Sequence, residues 1–197
     1  MNRVKKSSQA PWVAPLSRLP LSLAPLLHLQ RRHYGTVLNP VRWWGRFPRL
    51  FWLIALFVGY LERRQSTLAP SLRALVMTRV SQRCDCAFCI DANSLRLAQR
   101  SGSLEKVLAV ADWQQADCFD DAEQAALAYA DAVSETPPQV TPALQQALRQ
   151  HFDDRALTEL TALVAFQNLS ARFNAALAIP AQGLCTPPTE GSGREDA

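Results

Sequence analysis

The chain has 197 residues, 48% of them hydrophobic, which is enough for one ordinary domain with a core. Its formal net charge is +4, but nine of its 21 basic residues precede Glu62 in a stretch without acids, leaving 12 basic against 17 acidic residues afterwards. The basic residues after Glu62 are scattered among acids, without recurring aromatic neighbours. Composition therefore argues against a nucleic-acid partner.

Residues 1–36 are predicted to form a poorly ordered, basic, Pro-rich leader. Its prolines are Pro11, Pro15, Pro20 and Pro25. Because proline breaks helices, no long helix is expected in this stretch. An acid-free basic amino terminus is also typical of targeting peptides, but no clear small-residue cleavage site follows the apolar residues 19–29. We predict one helical domain over residues 37–185 and a flexible tail over residues 186–197.

An aromatic and basic segment leads into a helix predicted for residues 50–64. The aromatic residues of the segment and of the start of this helix are Trp43, Trp44, Phe47, Phe51 and Trp52. Aromatic side chains and arginine are enriched at interfaces, so the segment fits a subunit or membrane-surface contact as well as a buried core. The apolar run of residues 50–61 is too short to span a bilayer, so no transmembrane segment is predicted.

The rest of the domain is also predicted to be helical. Ser66 and Thr67 are the expected cap region of a helix that runs up to the cysteine cluster. Further helices are expected over residues 87–100, 104–110, 120–133, from residue 141, and over residues 156–177. No segment alternates apolar and polar residues with a period of two. The pattern therefore predicts an all-α helical bundle.

The last of these helices carries polar side chains inside an apolar pattern. They are Gln167, Asn168, Ser170 and Asn174. Buried polar groups must find hydrogen-bond partners, so we predict that they bond to neighbouring helices rather than to a substrate.

Three cysteines stand close together in the run Arg83-Cys-Asp-Cys-Ala-Phe-Cys-Ile-Asp. Cys86 and Cys89 form a CxxC pair at the predicted start of a helix, where backbone N–H groups and the helix dipole stabilise a thiolate. This arrangement favours redox chemistry. The total of five cysteines is odd, and no convincing secretory signal precedes them. We therefore expect free thiols in a reducing compartment, the cytoplasm.

Two other roles for the cysteines remain open. Structural zinc would need further ligands beyond Cys84 and the CxxC pair, and His33 and His151 are distant in the sequence. Buried cysteines that serve only as small hydrophobic residues are the other alternative. Cys118 and Cys185 are isolated and are predicted to be packing or incidental residues. No metal and no organic cofactor are predicted.

Residues 73–94, which contain the cysteine cluster, resemble the core motif of the alkyl hydroperoxidase D-like, or carboxymuconolactone decarboxylase, superfamily. The resemblance extends over about residues 45–185. It implies an AhpD-like helical fold, a homo-oligomer and a thiol-dependent peroxidase. It also implies that Cys89 attacks a hydroperoxide, that Cys86 resolves the product to a disulfide, and that an external dithiol reduces this disulfide.

The chain departs from that family's proton relay. Peroxidase-type members carry a glutamate where this chain has Ala74 and a histidine where it has Asn93, and some carry a histidine where it has Phe88. Asn93 could hold a water near Cys89, and Cys84 is a supporting candidate as a third thiol. Thiolate formation then depends on other groups.

Nearby charges are expected to act on the thiols in both directions. Arg79 and Arg83 would add positive potential near the cysteines, although solvated arginines are the simpler interpretation. Asp85 and Asp91 would raise the thiol pKa values if they lay close to the sulfur atoms.

Two alternative functions follow. One is lactone decarboxylation without a redox role, for which His151 is the single candidate base in the predicted domain, although a helix-end role suits it better. The other is a non-catalytic helical oligomer that binds partners through the aromatic segment.

Overall fold

The computed structural model of the protein describes residues 10–185. Within them the chain forms α-helices and two 3-10 helices, Leu21–Leu23 and Val110–Gln115, and no strand, which confirms the all-α prediction. The α-helices are α1 (Ala24–Tyr34), α2 (Val41–Trp44), α3 (Pro48–Leu61), α4 (Pro70–Arg83), α5 (Ala87–Ser101), α6 (Leu104–Ala109), α7 (Asp121–Ser134), α8 (Pro142–His151) and α9 (Asp154–Ala176). The first nine residues of the predicted leader and the predicted tail lie outside the described residues.

Helix α4 is the centre of the bundle. Ten consecutive residues, from Leu72 to Ser81, are buried on all sides, as expected for a helix surrounded by others. It packs against α5, α7 and α9. Its buried cation Arg79 donates from Nε and Nη2 to the two carboxylate oxygens of Asp131 on α7, at 2.6 and 2.9 Å. This bidentate pair fixes α4 against α7.

A tight reversal joins α4 to α5 and sets the position of the cysteines. Asp85 has a positive φ of 49°, in the left-handed region that aspartate tolerates better than most residues. The Cys86 N–H donates to the Ser81 carbonyl oxygen at 3.1 Å. Cys86 thereby becomes the N-cap of α5, so the predicted CxxC at a helix start is confirmed.

Several other helix starts also follow the predicted signals. Asp120 and Glu123 form a capping box before α7, and the Thr141 and Asp153 side chains cap α8 and α9. The start of α4 differs from the prediction, which placed its cap at Ser66 and Thr67. The N-cap is Ala69, which has no capping side chain, and Thr67 instead donates to Glu159 of α9.

The amino-terminal segment is where the structure departs most from the prediction. Residues 10–36 were expected to be poorly ordered, but Leu21–Leu23 and α1 are helical, and Leu23 and Leu27 are buried against α2 and α3. The prolines do not prevent this. Pro25 lies in the first turn of α1, where a missing N–H costs nothing. Apolar burial therefore outweighs the helix-breaking composition of the segment.

The aromatic segment lies mainly in the core. Trp43, Trp44 and Phe51 are buried, whereas Phe47 is exposed. The Trp44 ring stacks on Phe173 of α9 with centroids 3.8 Å apart. Across residues 10–185, no helix has the length and apolar character needed to cross a membrane.

Candidate active site

The two cysteines of the CxxC motif are buried together at the first turn of α5. Cys86 is fully buried and Cys89 is 4% exposed, and both are free thiols. They pack with Trp43, Phe88 and Ala171 in a small apolar cluster. The Cys89 N–H donates to the Cys86 sulfur at 3.2 Å. The pair therefore lies at the positive end of α5, shielded from bulk water.

Helix α9 supplies an amide directly to one sulfur. The Asn174 Nδ2 group donates to Cys89 Sγ at 3.2 Å, and this side chain is 2% exposed. Its Oδ1 atom is buried and has no hydrogen-bond partner among the described residues. Asn174 thus stabilises a Cys89 thiolate and leaves one acceptor unused beside it.

A neutral network occupies the space beside Cys89. Ser81 Oγ accepts from Asn93 Nδ2 at 3.0 Å and from Gln167 Nε2 at 2.9 Å. It donates in turn to the Met77 carbonyl oxygen at 2.6 Å. Asn93, at the position where the resembling peroxidases carry a histidine, is therefore buried and bonded, and the network contains no group that titrates near neutral pH.

Cys84 has a separate environment on the more exposed side of the cluster. Its sulfur donates to Asn168 Oδ1 at 3.4 Å, and Asn168 Nδ2 donates to Ser134 on α7. Burial raises the pKa of Cys84, against the smaller opposing effect of Arg172. Burial therefore makes Cys84 harder to ionise than an ordinary thiol.

The pKa values of Cys86 and Cys89 move in opposite directions. The hydrogen bond between the two side chains lowers the pKa of Cys89 below 9.0, against the effect of burial. Asn174, Gln167 and the charge of Arg96 lower this pKa further. The same bond between the thiols, together with burial, raises the pKa of Cys86. Although the Cys89 N–H favours charge on Cys86, the donors from α9 act on Cys89, so Cys89 is the more readily ionised thiol of the pair.

Replacing Asn174 with alanine should raise the pKa of Cys89. A hydrogen bond to a charged group contributes about 1.5–3 kcal/mol, so its loss should disfavour the thiolate by an energy of that order. The thiolate would then appear at higher pH than in the wild type. Ultraviolet absorbance of the thiolate, or the rate of alkylation against pH, measures this shift. Asn168→Ala is the matched control, because Asn168 bonds to Cys84 and not to Cys89. An unchanged profile in Asn174→Ala would contradict the assignment.

A cavity of about 410 Å³ opens onto Cys89 but not onto Cys86. It is lined mainly by apolar and aromatic side chains, and its polar side chains lie in two groups. One group is Cys89, Asn93, Gln167, Ser170 and Asn174. The other is Gln30, His33, Tyr34 and Arg96. This volume falls within the roughly 300–1,000 Å³ typical of small-molecule sites.

Several predicted site residues lie elsewhere. Arg79 bonds to Asp131 and to the Val110 and Ala111 carbonyl oxygens, so it holds helices together. Asp91 accepts hydrogen bonds from the backbone N–H groups of Gln182 and Cys185. Burial raises the pKa of Cys185, and the charge of Asp91 raises it further. Neither residue lines the cavity.

The candidate base of the decarboxylase alternative, His151, also lies away from the cavity at Cys89. His151 is an exposed residue at the end of α8 and is absent from the cavity wall. Asp85 is an exposed turn residue between α4 and α5. Neither residue faces a substrate in the cavity at Cys89.

Sequence reasoning missed the residues that complete the site. Asn174 and Gln167 were expected to make only interhelix hydrogen bonds; they make such bonds and also line the cavity. Arg96 was detectable, since Cys89, Asn93 and Arg96 share one helix face by their spacing. Tyr34 carried no such signal, because its segment was expected to be poorly ordered. In residues 10–185, no cluster of three or more His, Cys, Asp or Glu side chains is placed to hold a metal ion.

Comparison with known proteins shows the family of the chain. Residues 48–132 match the sequence model of the Carboxymuconolactone decarboxylase family. The uncharacterized protein YnjA of Escherichia coli strain K12 is 57% identical over 178 residues, which cover 90% of this chain and 98% of YnjA.

Two crystal structures are similar in fold. One is the debrominase Bmp8, with a TM-score of 0.77 and 23% identity, covering 88% of this chain and 93% of Bmp8. The other is the alkylhydroperoxidase AhpD core of an uncharacterized peroxidase-related protein from Ralstonia eutropha JMP134, with a TM-score of 0.77 and 21% identity. That alignment covers 86% of this chain and 91% of the other.

Proposed function

Because the chain belongs to the carboxymuconolactone decarboxylase family, with its AhpD-like helical fold, we propose that it is a thiol-dependent peroxidase. Its substrate would be an organic hydroperoxide. The observation that carries the proposal is the buried Cys89 sulfur, which accepts a hydrogen bond from Asn174 and lines a cavity large enough for a small organic molecule. A low-pKa thiolate facing such a cavity is a nucleophile rather than a packing residue.

The first step is attack of the Cys89 thiolate on the terminal oxygen of the hydroperoxide. An S–O bond forms and the O–O bond breaks, giving a Cys89 sulfenic acid and an alkoxide that takes a proton from solvent to become the alcohol. Asn174 Nδ2 holds the thiolate before attack.

The second step is closure of a disulfide. Cys86 attacks the Cys89 sulfur, an S–S bond forms, and the sulfenic oxygen leaves as water with the Cys86 proton. The raised pKa of Cys86 keeps that proton on its sulfur until this step. An external dithiol then reduces the disulfide and becomes oxidised itself. No metal or organic cofactor takes part in this cycle, and Cys84 is a supporting residue beside it.

The cycle does not depend on the family's acid and base relay. Ala74 is fully buried and has no ionisable group, and Asn93 is bonded to Ser81. In this proposal the hydrogen bonds and the charge that lower the pKa of Cys89 take the place of a base, because they favour the thiolate form of Cys89.

A thiol titration tests this proposal. Reduced wild-type protein would be mixed with cumene hydroperoxide without a reductant, and the remaining free thiols would be counted. We expect the loss of two of the five thiols per chain, with a Cys86–Cys89 disulfide identified by peptide mass spectrometry. Thiols that react no faster than those of the unfolded chain would contradict the proposal. The non-catalytic oligomer would then become the better hypothesis.

A second candidate function is reductive dehalogenation of a small aromatic molecule. Trp44, Phe51 and Phe88 line the cavity, which suits an aromatic ring, and the similar protein Bmp8 is a debrominase. The Cys89 thiolate would attack bromine, the C–Br bond would break, and the ring carbon would take a proton. Cys86 would then displace bromide to form the same disulfide. Bromide release from a brominated pyrrole, without reaction of cumene hydroperoxide, would favour this candidate.

We also propose that the protein forms a homo-oligomer in the cytoplasm. The outer face of α3 carries exposed apolar side chains, among them Leu53, Leu56 and Tyr60, which fit a contact with a second copy. Light scattering of the purified protein should give a mass of at least twice 21.9 kDa. Leu53→Glu should shift that mass toward the monomer, and a monomeric wild type would contradict the proposal.

A further inference from the structure

Resting on the proposed function, we propose that the cavity takes an amphipathic hydroperoxide with a carboxylate at the end remote from the peroxide. Tyr34 and Arg96 would bind the carboxylate while Cys89 reacts with the peroxide. The apolar walls between these two groups would hold the hydrocarbon body of the ligand.

Both polar groups of the cavity wall include residues from one face of α5. Cys89, Asn93 and Arg96 all line it, and the rise along a helix between Cys89 and Arg96 is roughly 10 Å. A small molecule of about the length of a para-substituted benzene ring with its substituents spans that separation. One ligand can therefore contact the thiolate and the guanidinium at the same time.

Tyr34 presents a polarised hydroxyl group at the remote end. Its oxygen accepts from Arg96 Nη2 at 2.6 Å and from Arg96 Nε at 3.1 Å. No acceptor for the Tyr34 O–H lies among the described residues. Because the guanidinium draws electron density from the phenol oxygen, this O–H is a strong donor to an anion.

The charges around Arg96 leave a positive excess. Glu62 is its ion-pair partner, but that carboxylate makes its closer contact with Arg100, whose Nη2 donates to Glu62 Oε2 at 2.7 Å. The distance from Arg96 Nη1 to Glu62 Oε1 is 3.8 Å, and Glu62 Oε1 has no hydrogen-bond donor among the described residues. The Glu62 carboxylate thus pairs with two guanidinium groups, and a ligand carboxylate would neutralise the remaining positive charge.

A purely structural role for Arg96 makes a different prediction. If Arg96 only fastens α1 to α5 through Tyr34, its loss would slow the reaction with charged and neutral substrates equally. If Tyr34 and Arg96 bind a carboxylate, loss of Arg96 would change the ratio of the rate with the charged substrate to the rate with the neutral one. The ratio also cancels the effect of Arg96 on the pKa of Cys89, which acts on both substrates.

The test uses two hydroperoxides that differ in one charge, 4-(2-hydroperoxypropan-2-yl)benzoate and its methyl ester. Single-turnover oxidation of Cys89 would be measured with each. The wild type should react faster with the carboxylate by roughly tenfold, as a hydrogen-bonded charged group provides. Arg96→Gln should bring the ratio near one, Tyr34→Phe should lower it, and Arg96→Lys should retain part of it.

Two further variants test the charge account. Glu62→Gln should raise the ratio, because it removes the acid that partly neutralises Arg96. Arg83→Gln is the matched control with the same loss of charge. Arg83 pairs with Glu135 and Asp131 and does not line the cavity. The Arg83→Gln variant should therefore show the same rate ratio as the wild type. Similar ratios in Arg96→Gln and the wild type would overturn the inference.

A binding measurement separates this inference from the proposed reaction. 4-Isopropylbenzoate and its methyl ester carry no peroxide, and calorimetry would compare their binding to the reduced wild type and to Arg96→Gln. Preference for the carboxylate only in the wild type would support the anion site, even if neither hydroperoxide oxidised Cys89 and the peroxidase proposal failed. Equal binding and equal oxidation rates in the wild type would overturn the anion site and leave the peroxidase proposal intact.

Discussion

Cys89→Ser is expected to abolish the consumption of thiols by cumene hydroperoxide. The rate constant should fall by roughly a hundredfold or more, as loss of a nucleophile does, to the level of ordinary surface thiols. Serine keeps the size of the side chain but is not ionised at neutral pH. The hydrogen bond from Asn174 therefore has no thiolate to stabilise. Stopped-flow or quenched measurement of free thiols gives the rate constant.

Cys118→Ser is the control for this experiment. Cys118 is half-buried at the edge of the main core and lies outside the cavity at Cys89. Its replacement should leave the rate constant unchanged. Equal rates in Cys89→Ser and in the wild type would show that another cysteine, or none, reacts with the hydroperoxide.

Leu23→Ala should destabilise the whole domain. Leu23 is fully buried between α2 and α3, and truncation of a buried leucine costs about 2–5 kcal/mol of unfolding free energy. The segment that carries Leu23 continues into α1, whose Tyr34 bonds to Arg96 of α5. Loosening this segment should therefore also weaken the cavity wall. Equilibrium unfolding in urea measures the loss.

Leu21→Ala is the matched control, since Leu21 lies in the same 3-10 helix but is 91% exposed. Its effect should stay within about 0.5 kcal/mol. If the two substitutions had equal small effects, the amino-terminal segment would not be part of the folded domain in solution.

The local features of the fold were predictable from sequence. Capping residues such as Asp120 and Thr141 bond to backbone groups within a few residues of their own position. The CxxC pair before an apolar helical pattern likewise marks the first turn of α5. The all-α architecture follows from such signals added along the chain. The Asn93 and Arg96 positions on the Cys89 face of α5 were also accessible by helical spacing.

The remaining features depend on contacts between distant parts of the chain. Leu23 and Leu27 occur among prolines, so their burial could not be inferred without knowing that α2 and α3 offer an apolar surface. Arg79 lies close to the cysteines in sequence, but Asp131 on α7 determines where its side chain points. The donation from Asn174 to Cys89 joins residues from α9 and α5, and no local pattern encodes it.

The most direct test of the central claim is to trap the sulfenic acid in Cys86→Ser. Without the resolving thiol, the oxidised Cys89 persists, and dimedone added with cumene hydroperoxide should label it. Peptide mass spectrometry should place one dimedone adduct on the peptide that contains Cys89 and none on Cys84. An adduct on another cysteine, or no adduct under conditions that consume the hydroperoxide, would contradict the assignment of Cys89 as the attacking thiol.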